Sequence, residues 1–111
     1  MTVNVLGTEY TVTVCPRGND VKLDDMDGYT DWTTHRIVVC DVEPDKDSVG
    51  DMESYKKKVM RHEIVHAFFM ESGLQENSGS TDCYGMDETI CDWIAIQGPK
   101  ICEAWRSVGA V

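Results

Sequence analysis

Arg61-His62-Glu63-Ile64-Val65-His66-Ala67 holds two imidazoles and one carboxylate at a spacing suited to metal-assisted hydrolysis. Residues four apart on an α-helix stand one above the other, so His62 and His66 can meet a single ion from the same side. Glu63 lies about 100° further round, at the edge of that face. Neutral imidazoles are ordinary zinc ligands, and the carboxylate beside them is placed to take a proton from a water that the metal has acidified from a pKa of about 15.7 to about 7. The pattern therefore predicts one Zn2+ per chain, held by His62 and His66, with Glu63 as general base.

An ordinary helix with a solvated pair of histidines can carry the same five letters by chance, and the surroundings decide between the two readings. Val59, Met60, Ile64, Val65, Ala67, Phe68, Phe69 and Met70 make the segment apolar nearly all round, which predicts a buried helix over about residues 51–72. Two histidines and a glutamate in such a helix are expensive to desolvate unless something binds them. Ser48-Val49-Gly50-Asp51 offers capping residues at its start, and Gly73 fits the left-handed position just past its end.

Zinc held by two histidines takes one more protein ligand and keeps a position open for water. The segment Asp87-Glu88-Thr89-Ile90-Cys91-Asp92-Trp93-Ile94-Ala95-Ile96-Gln97 is helical by pattern and predicts a second helix over about residues 86–107. Glu88 is the expected third ligand, with Asp87 as the alternative. Asp92, four residues after Glu88, is placed to hydrogen-bond the outer ring nitrogen of a ligand histidine. Gly98-Pro99 predicts a kink or a fresh segment, with Ile101, Cys102 and Trp105 turned inward.

The elements before the first helix have to supply a sheet. Thr2–Leu6 and Glu9–Val14 alternate apolar and polar residues around Gly7-Thr8 and predict a β-hairpin. Residues 21–34 are polar and turn-rich and read as a solvated loop; their aspartates do not follow an EF-hand spacing. His35-Arg36-Ile37-Val38-Val39-Cys40 is the clearest strand, and its place just before the helix suggests an edge strand that aligns an extended peptide by backbone hydrogen bonds. His35 at its start is then a candidate substrate or oxyanion contact. The segment from Gln75 to Tyr84 reads as a connection that can form a rim over the site.

Composition narrows the partners. The chain has 111 residues, 41% of them hydrophobic, and a net charge of −10. That length suits a single α+β domain, and an acidic balance argues against nucleic acid, which is bound through clustered Lys and Arg. The one basic cluster, Lys56-Lys57-Lys58 with Arg61, reads as a solvated first half of the helix. No apolar run reaches membrane-spanning length and Met1-Thr2-Val3-Asn4 lacks a basic signal start, so no membrane partner and a cytoplasmic location are expected. The five cysteines, without a Cys-x-x-Cys pair, read as free thiols rather than a disulfide framework or a zinc knuckle.

His62-Glu63-Ile64-Val65-His66 followed by Glu88-Thr89-Ile90-Cys91-Asp92-Trp93-Ile94-Ala95 resembles the gluzincin pattern, and is most similar to the small ImmA/IrrE-type metallopeptidases of bacteria and their phages. It departs from them at Cys91, where they often carry Ala, and at Ile94, where they often carry an aromatic residue. The resemblance implies a minimal zincin-like fold, with a small sheet packed on an active-site helix and a third-ligand helix. It also implies a zinc-dependent endopeptidase that cuts a protein or peptide substrate, with His62, His66 and Glu88 on the metal. Zincins often hold the tetrahedral intermediate with a Tyr or His, which makes Tyr84 and His35 the candidates here. Two other readings remain open: a zinc-binding regulatory or interaction module that does not cleave, and a deformylase-like hydrolase using a Cys ligand, for which Cys40 is the candidate.

Overall fold

The computed structural model describes residues 1–46, 48–76 and 87–109, together with the backbone but not the side chains of Ala104, Trp105 and Ser107. Four strands and two helices form an α+β domain: β1 (Thr2–Val5), β2 (Thr8–Cys15), β3 (Gly28–Asp31), β4 (Arg36–Cys40), α1 (Met52–Glu71) and α2 (Glu88–Ser107). The sheet order is β1-β2-β4-β3; β2 and β4 run parallel, and the two outer pairings are antiparallel.

The first hairpin forms as expected, but its turn is Leu6-Gly7, one residue before the expected Gly7-Thr8, and Thr8 pairs with Val5. Leu6 and Gly7 both have positive φ, 52° and 94°, the backbone of a type I′ turn, and Asn4 Oδ1 accepts a hydrogen bond from Gly7 N. Residues 21–34, expected to be a solvated loop, instead contain a short 3-10 helix (Val21–Asp24) and the strand β3. Leu23 is fully buried and, with Val38 and Cys40, fills the sheet face that α1 leaves free. Because β3 takes the edge, β4 is an inner strand, not the edge strand that its position before the helix suggested. The physical signal is burial of Ile37, Val38, Val39 and Cys40 in succession, as in a strand covered on both faces.

On the other face, Val5, Tyr10, Val12, Ile37 and Val39 pack against Val59 and Ala67 of α1. Asp51 caps the start of the helix, its side chain accepting from Ser54 N, and Gly73 lies just past its end in the left-handed conformation, φ 81°. The buried residues of α1 are Val59, Glu63 and Ala67, a single stripe at four-residue spacing, while Phe68 is 38% exposed; the helix is not apolar-buried all round as its sequence suggested. Thr8 Oγ1 and Tyr10 Oη donate to the two carboxylate oxygens of Glu71, tying the end of α1 to β2.

Of the lysines in the basic cluster of α1, Lys57 is exposed, while Lys56 and Lys58 are ion-paired. Lys56 Nζ pairs with Asp41 and Glu53, and Lys58 Nζ with Asp92 of α2. Pro99 does not break α2, which is one continuous helix through Gly98-Pro99. Pro99 has no N–H to offer Ala95 O, the acceptor four residues earlier. Arg61 Nε of α1 donates to that oxygen at 2.6 Å, so the group freed by the proline becomes the docking point between the helices.

Candidate metal centre

Helix α1 brings His62 and His66 one above the other, and the first residue of α2 brings Glu88 across to them. Asp87 fixes that end of α2: its Oδ1 accepts from Thr89 N and Ile90 N, so the alternative ligand serves as a helix cap instead. His62 Nε2 lies 3.0 Å from Glu88 Oε2, His66 Nε2 lies 2.9 Å from Glu88 Oε1, and the two Nε2 atoms are 3.2 Å apart. Ligand atoms about 2.0–2.1 Å from a tetrahedral ion stand roughly 3.3 Å from each other, so this donor set fits a divalent cation. Among the described residues, these three form the group of His, Cys, Asp and Glu side chains able to hold a metal.

The two imidazoles are mostly enclosed, at 14% and 13% side-chain exposure, whereas Glu88 is 75% exposed and leaves the cluster open to solvent. Burial lowers the pKa of His66 and favours the neutral ring that a metal requires; the nearby Glu88 carboxylate opposes this in part. Asp92 stands where the i+4 spacing from Glu88 puts it, with Oδ1 3.4 Å from His62 Nδ1. The other histidine has a partner that the sequence reading did not assign: Cys91 Sγ lies 3.5 Å from His66 Nδ1. Burial, reinforced by the acidic neighbours Glu88 and Glu63, pushes the Cys91 thiol up to about 12 and keeps it neutral.

Glu63 faces the same region from within the buried stripe of α1. Burial raises its pKa above the ordinary 4.5; the Thr30 hydrogen bond and His62 act against that shift, and Glu88 adds to it. Thr30 Oγ1 on β3 sits 2.9 Å from Glu63 Oε1 and 2.8 Å from the Glu63 carbonyl oxygen. Next to it, a Cβ on Gly28 would lie 2.9 Å from Val59 Cγ1 and 3.0 Å from Val38 O, so a residue without a side chain lets β3 approach α1 this closely. Gly28 and Thr30 were missed because Asp27-Gly28 reads as a turn, and the strand between the turns is only Gly28–Asp31.

Two of the clefts that border the cluster are lined by Gly28, Glu63 and Glu88. One, of about 520 Å³, continues past His62 towards Asp27, Tyr55 and Lys58. The other, of about 330 Å³, continues past His66 towards Tyr29, Trp32 and Gln75. His35 lines neither cleft; it is exposed in the β3–β4 turn with a positive φ of 56°, its ring against that of Tyr10. Cys40 is buried on the far face of the sheet with Leu23 and Val38, away from the histidines, which removes the candidate ligand of the deformylase-like reading. Tyr84 and most of the expected rim lie outside the described residues, as does the side chain of Trp105. Compared with family models, curated proteins and solved structures, the chain matches none of them.

Proposed function

We propose that this chain is a zinc-dependent endopeptidase on a minimal zincin-like fold, cutting an extended segment of a protein partner. The observation that carries the reading is the convergence of His62 Nε2, His66 Nε2 and the Glu88 carboxylate, beside a buried Glu63 that opens onto the clefts on both sides. His62, His66 and Glu88 would hold the ion. When bound, the ion supplies Lewis acidity, polarising a carbonyl and bringing a water to a pKa of about 7.

Glu63 would take a proton from the attacking water onto its carboxylate and hand it to the leaving amine. Thr30 serves both states. While Glu63 is charged, the Thr30 hydroxyl donates to Oε1; once Glu63 is protonated, its own O–H can donate to Thr30 Oγ1 while the hydroxyl turns to the Glu63 carbonyl.

The open edge of β3 supports an extended substrate. Cys40 N bonds Asp27 O, which sets the alternation so that Asp27, Tyr29 and Asp31 face β4, and Gly28 and Thr30 turn their backbone groups outward. A peptide added along that edge runs past Glu63 with side chains available to the two clefts.

The test is to incubate zinc-loaded wild type and Glu63→Gln with a proteome-derived peptide library and to count new termini over time. The expected result is cleavage by the wild type and at least a 10²-fold lower rate in Glu63→Gln, at equal zinc content. Equal rates in the two overturn the role of Glu63, and zinc binding with no cleavage by the wild type identifies a non-catalytic zinc module instead.

A further inference from the structure

We infer that Cys91 is a positioning residue for His66, its sulfur receiving the Nδ1 proton so that Nε2 is held towards the metal; this rests on the metal-centre reading above. An imidazole that ligates through one nitrogen carries its proton on the other, and the partner of that proton fixes both the tautomer and the ring orientation. His66 Nε2 is directed at His62 and Glu88, and its Nδ1 meets Cys91 Sγ at 3.5 Å. The sulfur is fully buried, so water does not compete for the contact.

The arrangement on α2 is systematic. Glu88, Cys91 and Asp92 stand at i, i+3 and i+4 on one face of the helix, so one surface of α2 supplies a ligand and both ring-orienting partners. The two partners differ in charge. Asp92 backs the His62 ring with a carboxylate, whereas Cys91 orients His66 without adding a negative group to a site that already gathers Glu63, Glu88 and Asp92. A thiol is a weak acceptor, but His66 is held mainly by its burial, and the sulfur has only to select one tautomer and one ring direction.

The test uses the intact chain and compares Cys91→Ala with Cys91→Ser. Two readouts are taken: thermal stability of the chelator-treated protein, and zinc affinity by competition with a chromogenic chelator. A packing role ranks Ala at or above Ser in both, because a buried serine adds a polar group without adding volume. A positioning role reverses the order for zinc alone: Cys91→Ala binds roughly tenfold more weakly than wild type, and Cys91→Ser recovers most of that loss although it is the less stable protein. In zinc-loaded wild type, long-range proton–nitrogen NMR is expected to find His66 ligated through Nε2 with a proton on Nδ1. Ligation through Nδ1, or wild-type zinc affinity in Cys91→Ala, overturns the inference and leaves the metal centre standing. A wild type that binds no zinc overturns both.

Discussion

His62 and His66 share a helix face but not an environment. One ring is backed by a carboxylate that also pairs with Lys58, the other by a neutral thiol deep in the helix interface. Between them in sequence, Glu63 occupies a position in the core stripe that Val59 and Ala67 would otherwise fill with hydrocarbon. A buried carboxylate there costs stability, and the cost depends on pH. Because its folded pKa is raised above 4.5, Glu63 favours folding fully only below that unfolded value, and the benefit is lost as pH rises through the folded pKa. The neutral isostere escapes this loss. Metal-free Glu63→Gln is therefore expected to match the wild type near pH 4 and to melt at a higher temperature at pH 7. A variant less stable than wild type at pH 7 in chelator-treated melts would contradict the raised carboxyl.

At the scale of elements, α2 and β3 do the positioning. The histidines and Glu63 were legible from one short motif because helical periodicity fixes their relation locally. The approach of Glu88 and Asp92 to the histidines was legible because the two stand at i, i+4 on a second periodic segment. β3 and Thr30 were not, since a strand of four residues with a glycine at its start carries too little pattern to separate it from a loop. That the helix runs on through Pro99 was not legible for a related reason. Proline disturbs a helix through the acceptor it leaves unpaired, and only the folded structure reveals that Arg61 satisfies Ala95 O. Arg61→Met, which keeps the aliphatic stem, is expected to cost about 1.5–3 kcal/mol in chemical denaturation. In a Pro99→Ala background the restored N–H competes for the same oxygen, so the cost of Arg61→Met should shrink; additive costs would show that the two residues are not coupled.

For the whole molecule, the sequence anticipated an α+β domain with a hairpin, a strand and two helices, but not the sheet order. Strand order depends on contacts between segments far apart in the chain, and the fully buried run Ile37–Cys40 is the one local sign that β4 is internal. Among the described residues, no helix is long and apolar enough to cross a membrane. Among the described residues, β3 is an edge strand of the sheet, and three donor side chains converge between α1 and the start of α2. The most direct measurement of the central claim is metal content by elemental analysis after purification and exposure to zinc, for wild type, His66→Ala and Glu88→Ala. The account predicts about one zinc per chain in the wild type and its loss in both variants. A wild type that holds no zinc, or variants that hold as much as the wild type, would contradict it.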